Sequence, residues 1–267
     1  MQAALPSEML GVDGDVVPRV FFGITALLIS QATFWRVSRR RRPYVVVITG
    51  GPCAGKSTIM KSLKVSMDEA NVYSYTVPEC PTMLIINGAN YPGESNVERL
   101  LTFETQMLNL QLVMENSFIN IADTYNRPSI VFCDRGTCDI SAYMPRNCWE
   151  RVLSLSGYTE CDLLSRYDAV VHLTTAAEGA EKYYTSANNN ARTETVEEAR
   201  EMDRKSRDSW KKHQNRIIID NGAEGMQGKI DEAISFIVES IQRHILSDKF
   251  PGDASISSPR SSQLLSP

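Results

Sequence analysis

One stretch constrains this chain more than any other: the apolar run Tyr44-Val45-Val46-Val47-Ile48-Thr49 passes directly into Gly50-Gly51-Pro52-Cys53-Ala54-Gly55-Lys56-Ser57-Thr58. A continuous β-branched run of this length is the pattern of a strand buried on both faces, as in a parallel sheet. Ile59, Leu63 and Met67 follow at spacings of four, which predicts a helix over residues 57–70 with one buried face. Strand, glycine loop and helix in that order gather backbone N–H groups at a helix N-terminus, where glycine lets the chain approach an anion closely.

The loop fits G-x-x-x-x-G-K-[ST] through Gly50, Gly55, Lys56 and Ser57. Residues 50–58 are therefore candidates for binding a nucleotide, ATP with GTP as the alternative. Lys56 would reach the β- and γ-phosphates, Ser57 would ligate Mg²⁺, and Thr58 would assist at most. Further strand-like runs at 72–77, 129–133, 169–174 and 216–219 alternate with helical stretches. The expected fold is α/β: a parallel five-stranded sheet with helices on both faces and a helical lid. Ligands in such sheets bind at the carboxyl ends of strands.

Two of those ends carry carboxylates. The second strand ends in Val77-Pro78-Glu79-Cys80, placing Glu79 where it can accept a proton from an attacking hydroxyl. The third ends in Phe132-Cys133-Asp134-Arg135-Gly136, so Asp134 is a candidate Mg²⁺ ligand, directly or through water, and Arg135 can face a phosphate. An exposed loop glutamate and turn chemistry are the blander readings of the two acids.

Thr195 and Glu198 form a capping box, and the pattern predicts a helix over 196–212. Arg200, Arg204 and Arg207 share one of its faces, and Arg192 lies just before it. Arg192, Arg200 and Arg204 are candidate lid residues that would stabilise developing charge on a phosphate. A solvated charged helix would look similar, with Asp203 and Arg207 as a surface pair at i, i+4. Residues 96–125 read as a long helix with one apolar face, and the glycine-rich loop before it, residues 87–95, is a candidate wall for an acceptor pocket.

A net charge of −4 argues against a nucleic-acid binder, and six cysteines without a C-x-x-C pair read as reduced thiols facing the cytosol. Residues 1–42 form an acidic leader, an uncharged hydrophobic segment at 20–35 and a cluster of arginines. The segment is marginal for spanning a bilayer, and beside the arginines it can instead contact anionic lipid. Residues 43–246 form the main domain, and 247–267, rich in Ser and Pro, read as a disordered tail.

The stretches 45–58, 77–82 and 132–143, the arginine helix and Arg216-Ile217-Ile218-Ile219-Asp220-Asn221 together resemble one P-loop family. It groups the ribosylnicotinamide-kinase domain of the bacterial regulator NadR with the TRPL translocation defect protein. The resemblance implies a nucleoside-monophosphate-kinase-like core, with Asn221 near the nucleotide base and Arg192 and Arg200 in the lid. More distantly, Glu79 and Arg135 look like the strand-end glutamate and the acid-Arg pair of deoxynucleoside kinases. Two functions follow as expectations: a Mg-ATP-dependent kinase acting on a small, nucleoside-type acceptor, or a nucleotide-binding regulatory protein at a membrane. An oligomeric motor fits less well, because no separate helical domain follows the core.

Overall fold

The computed structural model describes residues 42–125, 128–184 and 195–247. Its strands are β1 (Tyr44–Gly50), β2 (Tyr73–Val77), β3 (Ser129–Asp134), β4 (Ala169–Leu173) and β5 (Arg216–Ile219). They form one sheet in the order β2-β3-β1-β4-β5, and every neighbouring pair is parallel. Each connection must therefore cross a face of the sheet. The helices doing so are α1 (Lys56–Glu69), α2 (Cys80–Ile86), α3 (Val97–Asp123), α4 (Arg146–Ser156), α5 (Glu160–Leu164) and α6 (Val196–Ser209), and α7 (Gly225–Ser247) follows β5 and packs beside α1. A 3₁₀ segment, Thr137–Tyr143, follows β3 and a shorter one, Glu181–Tyr183, follows β4.

Strand β1 explains the unbroken apolar run. Tyr44, Val46 and Ile48 point into a layer with Ile59, Leu63 and Met67 of α1 and Ile234, Ile237 and Ile241 of α7. Val45 and Val47 point the other way, toward Leu101, Leu108 and Leu112 of α3, Trp149 of α4 and Trp210. Both faces are dry, so alternation with polar residues would bury unpaired groups. Each fully buried large side chain in these layers contributes about 1.5–3 kcal/mol of transfer free energy.

The parallel register brings the strand ends to one edge. Ile48 pairs with Asp134, Val77 with Cys133, Gly50 with Leu173, and Leu173 with Ile219. The glycine loop, Glu79, Asp134, Arg135 and the residues after β4 and β5 therefore meet there. Arg42 marks the opposite edge: its guanidinium pairs with Asp168 at 3.0 Å, just before β4.

Helix α6 starts where the capping box places it, with Thr195 N–H donating to Glu198 Oε2 at 2.7 Å. It ends at Ser209 rather than near residue 212, since Trp210 leaves helical geometry and the chain turns toward β5. Among the described residues no helix is long and apolar enough to cross a membrane. The segment at 20–35, Arg192 and residues 248–267 lie outside the described residues.

Candidate active site

Gly50 ends β1 with φ +141°, and a Cβ there would sit 2.2 Å from the Leu173 carbonyl oxygen, so only glycine fits. The loop then runs through Gly51, Pro52, Cys53 and the buried Ala54 to Gly55, which caps α1 in the left-handed region. Two groups after β4 fasten it: the Thr175 hydroxyl donates to the Pro52 carbonyl, and the Ala176 N–H to the Cys53 carbonyl at 3.4 Å. Ser57 and Thr58 are exposed on the first turn of α1.

Lys56 folds back over the loop, its Nζ donating to the carbonyls of Gly50 (3.3 Å) and Gly51 (3.4 Å). Burial, together with the Arg135 guanidinium, pulls its pKa down to about 8 even though Asp134, Glu79 and Asp139 are near. A phosphate entering the loop would favour the charged ammonium. Nucleotide binding at pH 8 is therefore expected to take up about 0.5 proton per site, and very little at pH 6.5. Calorimetry in two buffers of different ionisation enthalpy measures this, and zero uptake at pH 8 would contradict it.

Asp134 ends β3 opposite Ile48 of β1. Its Oδ1 is buried and has no hydrogen-bond partner among the described residues. Burial raises its pKa, while Lys56 and Arg135 favour the carboxylate. No group of three or more His, Cys, Asp or Glu side chains is placed to hold a metal among the described residues. Mg²⁺ keeps several waters and binds through one or two protein oxygens plus phosphates, so it needs no such group. The orphaned Asp134 Oδ1 and the exposed Ser57 hydroxyl are the residues that would hold it.

Arg135 takes φ +64°, costly for a residue with a side chain, of order 1–3 kcal/mol. Its N–H bonds the Ile48 carbonyl at 3.1 Å, and its guanidinium turns toward the end of β2. There Nε donates to Glu79 Oε1 at 2.6 Å, while Nη1 is buried with no partner among the described residues. The Thr82 hydroxyl donates to the other Glu79 oxygen at 2.7 Å. Burial pushes the Glu79 carboxyl up, but Arg135, Lys56 and the Thr82 hydrogen bond outweigh it and leave the pKa below its ordinary value. Glu79 is thus ionised, oriented and next to an unsatisfied cationic donor.

The arginine helix is placed differently from a surface helix. Ala199, Asp203 and Ser206 form its buried face, with Trp210 just beyond. Asp203 is 1% exposed and makes no surface pair with Arg207. Its Oδ1 accepts from the N–H of Gly51 (2.8 Å) and of Thr175 (2.9 Å), and His172 Nε2 lies 3.3 Å from Oδ2. A Cβ on Gly51 would stand 2.7 Å from that Oδ1, so the second glycine admits the carboxylate. Burial raises the Asp203 pKa, but these partners more than offset it and hold it low. Lys229 of α7 completes the support, its Nζ donating to the Thr174 carbonyl at 2.7 Å.

Among the other candidates, Arg200 donates to the Ala177 carbonyl (2.7 Å) and pairs with Glu181 (3.0 Å), beside the loop after β4. Arg204 is exposed and pairs with Glu201 on its own helix. Asn221 donates to the carbonyls of Thr175 (2.8 Å) and Glu178 (2.6 Å), tying β5 to the same loop. The structure gathers Lys56, Glu79, Asp134 and Arg135 together and puts Arg200 and Asn221 around the loop after β4. The sequence signal for Asp203 was the stripe of residues 199, 203, 206 and 210 at helical spacing. Small and polar side chains concealed it as a buried face.

Behind Glu79 opens a cavity of about 540 Å³, walled by α2, α3, the 3₁₀ segment after β3 and Met202 of α6. It is of the size that takes a small organic molecule. Tyr91 lines it, from the loop singled out as an acceptor wall.

No curated protein matches the chain. A family model described as AAA domain matches residues 45–227. The match begins inside β1, ends in α7 and takes in the glycine loop and every strand. P-loop domains of this kind bind nucleotide with Mg²⁺. Since it spans well over half of the chain and the whole site, the protein belongs to the AAA-domain family of P-loop proteins.

Proposed function

We propose that the protein is a Mg-ATP-dependent phosphotransferase acting on a small hydroxyl-bearing acceptor, in the manner of the ribosylnicotinamide-kinase grouping that its motifs resemble. The observation that carries this reading is the ionised Glu79, paired to Arg135 at 2.6 Å between Lys56 and an organic-sized cavity. A domain that only senses nucleotide needs no such carboxylate facing a second pocket. In the proposed step the acceptor oxygen bonds to the γ-phosphorus as the bond to the departing ADP oxygen breaks, and the acceptor proton goes to Glu79. Lys56 and the unpaired Arg135 Nη1 would bear on the phosphate oxygens. Bound Mg²⁺ supplies charge neutralisation there.

Glu79→Gln keeps the shape and the Thr82 contact but cannot take the proton. Phosphate transfer is expected to fall by on the order of 10²–10⁴ while ATP affinity changes little. Steady-state turnover with a nucleoside panel, set beside ATP-analogue titration, tests this, and equal rates in variant and parent would remove Glu79 from the role. A nucleotide-regulated protein at a membrane is the second reading, favoured by the sixteen uncharged residues between Arg19 and Arg36 and the five arginines from Arg36 to Arg42. It calls for ATP or GTP binding without acceptor-stimulated turnover, and for release from anionic vesicles on deletion of residues 1–41.

A further inference from the structure

The cavity behind Glu79 holds polar groups that phosphate transfer does not use. Helix α3 supplies Phe103, Glu104, Met107 and Gln111 to its wall. Glu104 is 3% exposed, yet neither a hydrogen bond nor an ion pair reaches its carboxyl from the described residues. Gln111 is fixed: its Nε2 donates to Glu115 Oε1 at 2.8 Å and to the Arg135 carbonyl at 3.3 Å, so its Oε1 is the remaining acceptor. The contact with Arg135 sets Gln111 at the reacting end of the cavity. Glu104, seven residues earlier, lies about 10.5 Å from it along the helix axis. That span separates the reacting hydroxyl from the far end of the acceptor.

The far end is apolar as well as acidic. Tyr91 and Phe103 meet edge to face at 5.6 Å, and the Tyr91 hydroxyl is committed to the Tyr143 carbonyl at 2.9 Å. The ionisable groups around the cavity besides Glu104 are Glu79, Cys80, Arg135, Asp139, Tyr91 and Tyr143, and burial pushes the Cys80 thiol up to about 12, so it stays neutral across the range tested below. Besides Glu104, two carboxyls, Glu79 and Asp139, stand against one guanidinium, already paired to Glu79, and an anionic acceptor would enter against them.

Resting on the phosphotransfer reading, we infer that the acceptor is an uncharged, ring-bearing alcohol of nucleoside length. Its hydroxyl lies at Glu79 and Arg135, and a hydrogen-bond-accepting edge of its ring lies on the Glu104 carboxyl, which makes Glu104 a specificity-determining residue. Burial pushes the Glu104 pKa up to about 8, so at neutral pH the carboxyl is mostly protonated and donates. A neutral carboxylic acid is the form that a buried apolar pocket favours, and it binds a neutral ring without a charge penalty.

The test uses the full chain with a non-hydrolysable ATP analogue and four probe classes: neutral nucleosides, glycerol, a nucleoside monophosphate and a permanently cationic pyridinium riboside. Binding is followed by saturation-transfer NMR and calorimetry from pH 6.5 to 9.5. At pH 7 a neutral nucleoside is expected to bind best, and its affinity to fall tenfold or more by pH 9.5. Glu104→Gln should bind with a flat pH profile, and Glu104→Leu should lose at least tenfold, both keeping the parent's affinity for the ATP analogue. Preference for the monophosphate, for glycerol or for the cationic riboside, or a nucleoside affinity indifferent to Glu104→Gln across the pH range, would overturn the inference. Glu104-dependent nucleoside binding without phosphate transfer would overturn the phosphotransfer reading alone and leave the ligand class standing.

Discussion

Lys56→Ala is expected to lower nucleotide-dependent turnover by on the order of 10²–10³, with a matching loss of ATP affinity, and to leave thermal stability unchanged or raised. The loss follows from geometry. The ammonium already points at the carbonyls of Gly50 and Gly51 at the mouth of the loop, and the other cation of the cluster, Arg135, is engaged with Glu79. The stability claim follows from the depressed pKa: a lysine pulled down to about 8 by burial is held in its charged form at a cost to the folded state at neutral pH. That cost fades as the pH rises through 8 toward the ordinary lysine value, so any stabilisation of the variant should be largest near neutrality. ATP titration, turnover and thermal unfolding at pH 7 and pH 9 check both parts. Turnover retained would sink the glycine-loop assignment. A fall in melting temperature at pH 7 would sink the account of the buried charge.

Asp203→Ala is expected to cost about 3–5 kcal/mol, lowering the melting temperature by roughly 10 °C. The carboxylate satisfies two buried backbone N–H groups and faces His172, and alanine leaves all three without their partner. Because the Asp203 pKa is held below its ordinary value, this contribution is present above the unfolded carboxyl's pKa near 3.8 and is lost as pH falls through the lower folded value. The variant should therefore differ most from the parent near neutrality and least in strong acid. Asp203→Asn, which keeps one oxygen acceptor, should recover part of the loss. Since Gly51 N–H belongs to the glycine loop, ATP affinity should weaken in Asp203→Ala even at temperatures where it is folded. A melting temperature within 2 °C of the parent, measured by circular dichroism, would show that α6 does not hold the loop.

The elements were legible in the sequence wherever burial and local chemistry agreed. Strand β1 is apolar because both its faces are covered, and the residues after it need glycine because the backbone closes on Leu173. The capping box at Thr195 announced the start of α6 for a local reason, the pairing of Thr195 with Glu198. The face of α6 was illegible for the opposite reason. Ala199, Asp203 and Ser206 carry no hydrophobic signal, and what buries them is the approach of β1 and the 3₁₀ segment after β3. Asp203 and Arg207 have the spacing of an ordinary surface pair, and only partners far along the chain, Gly51 at 152 residues, Thr175 at 28 and His172 at 31, show otherwise.

By itself the sequence determined the α/β class, the five strands, the phosphate-binding loop and the strand ends at which Glu79 and Asp134 stand, because these depend on patterns within a few residues of each other. Tertiary structure alone decided that Arg135 pairs with Glu79, that Asp203 clasps Gly51, and that Glu104 is buried in the wall of a cavity behind the site. Those contacts join residues distant in the chain, and their chemistry comes from burial, which no stretch of sequence possesses until the sheet and its helices have closed around it.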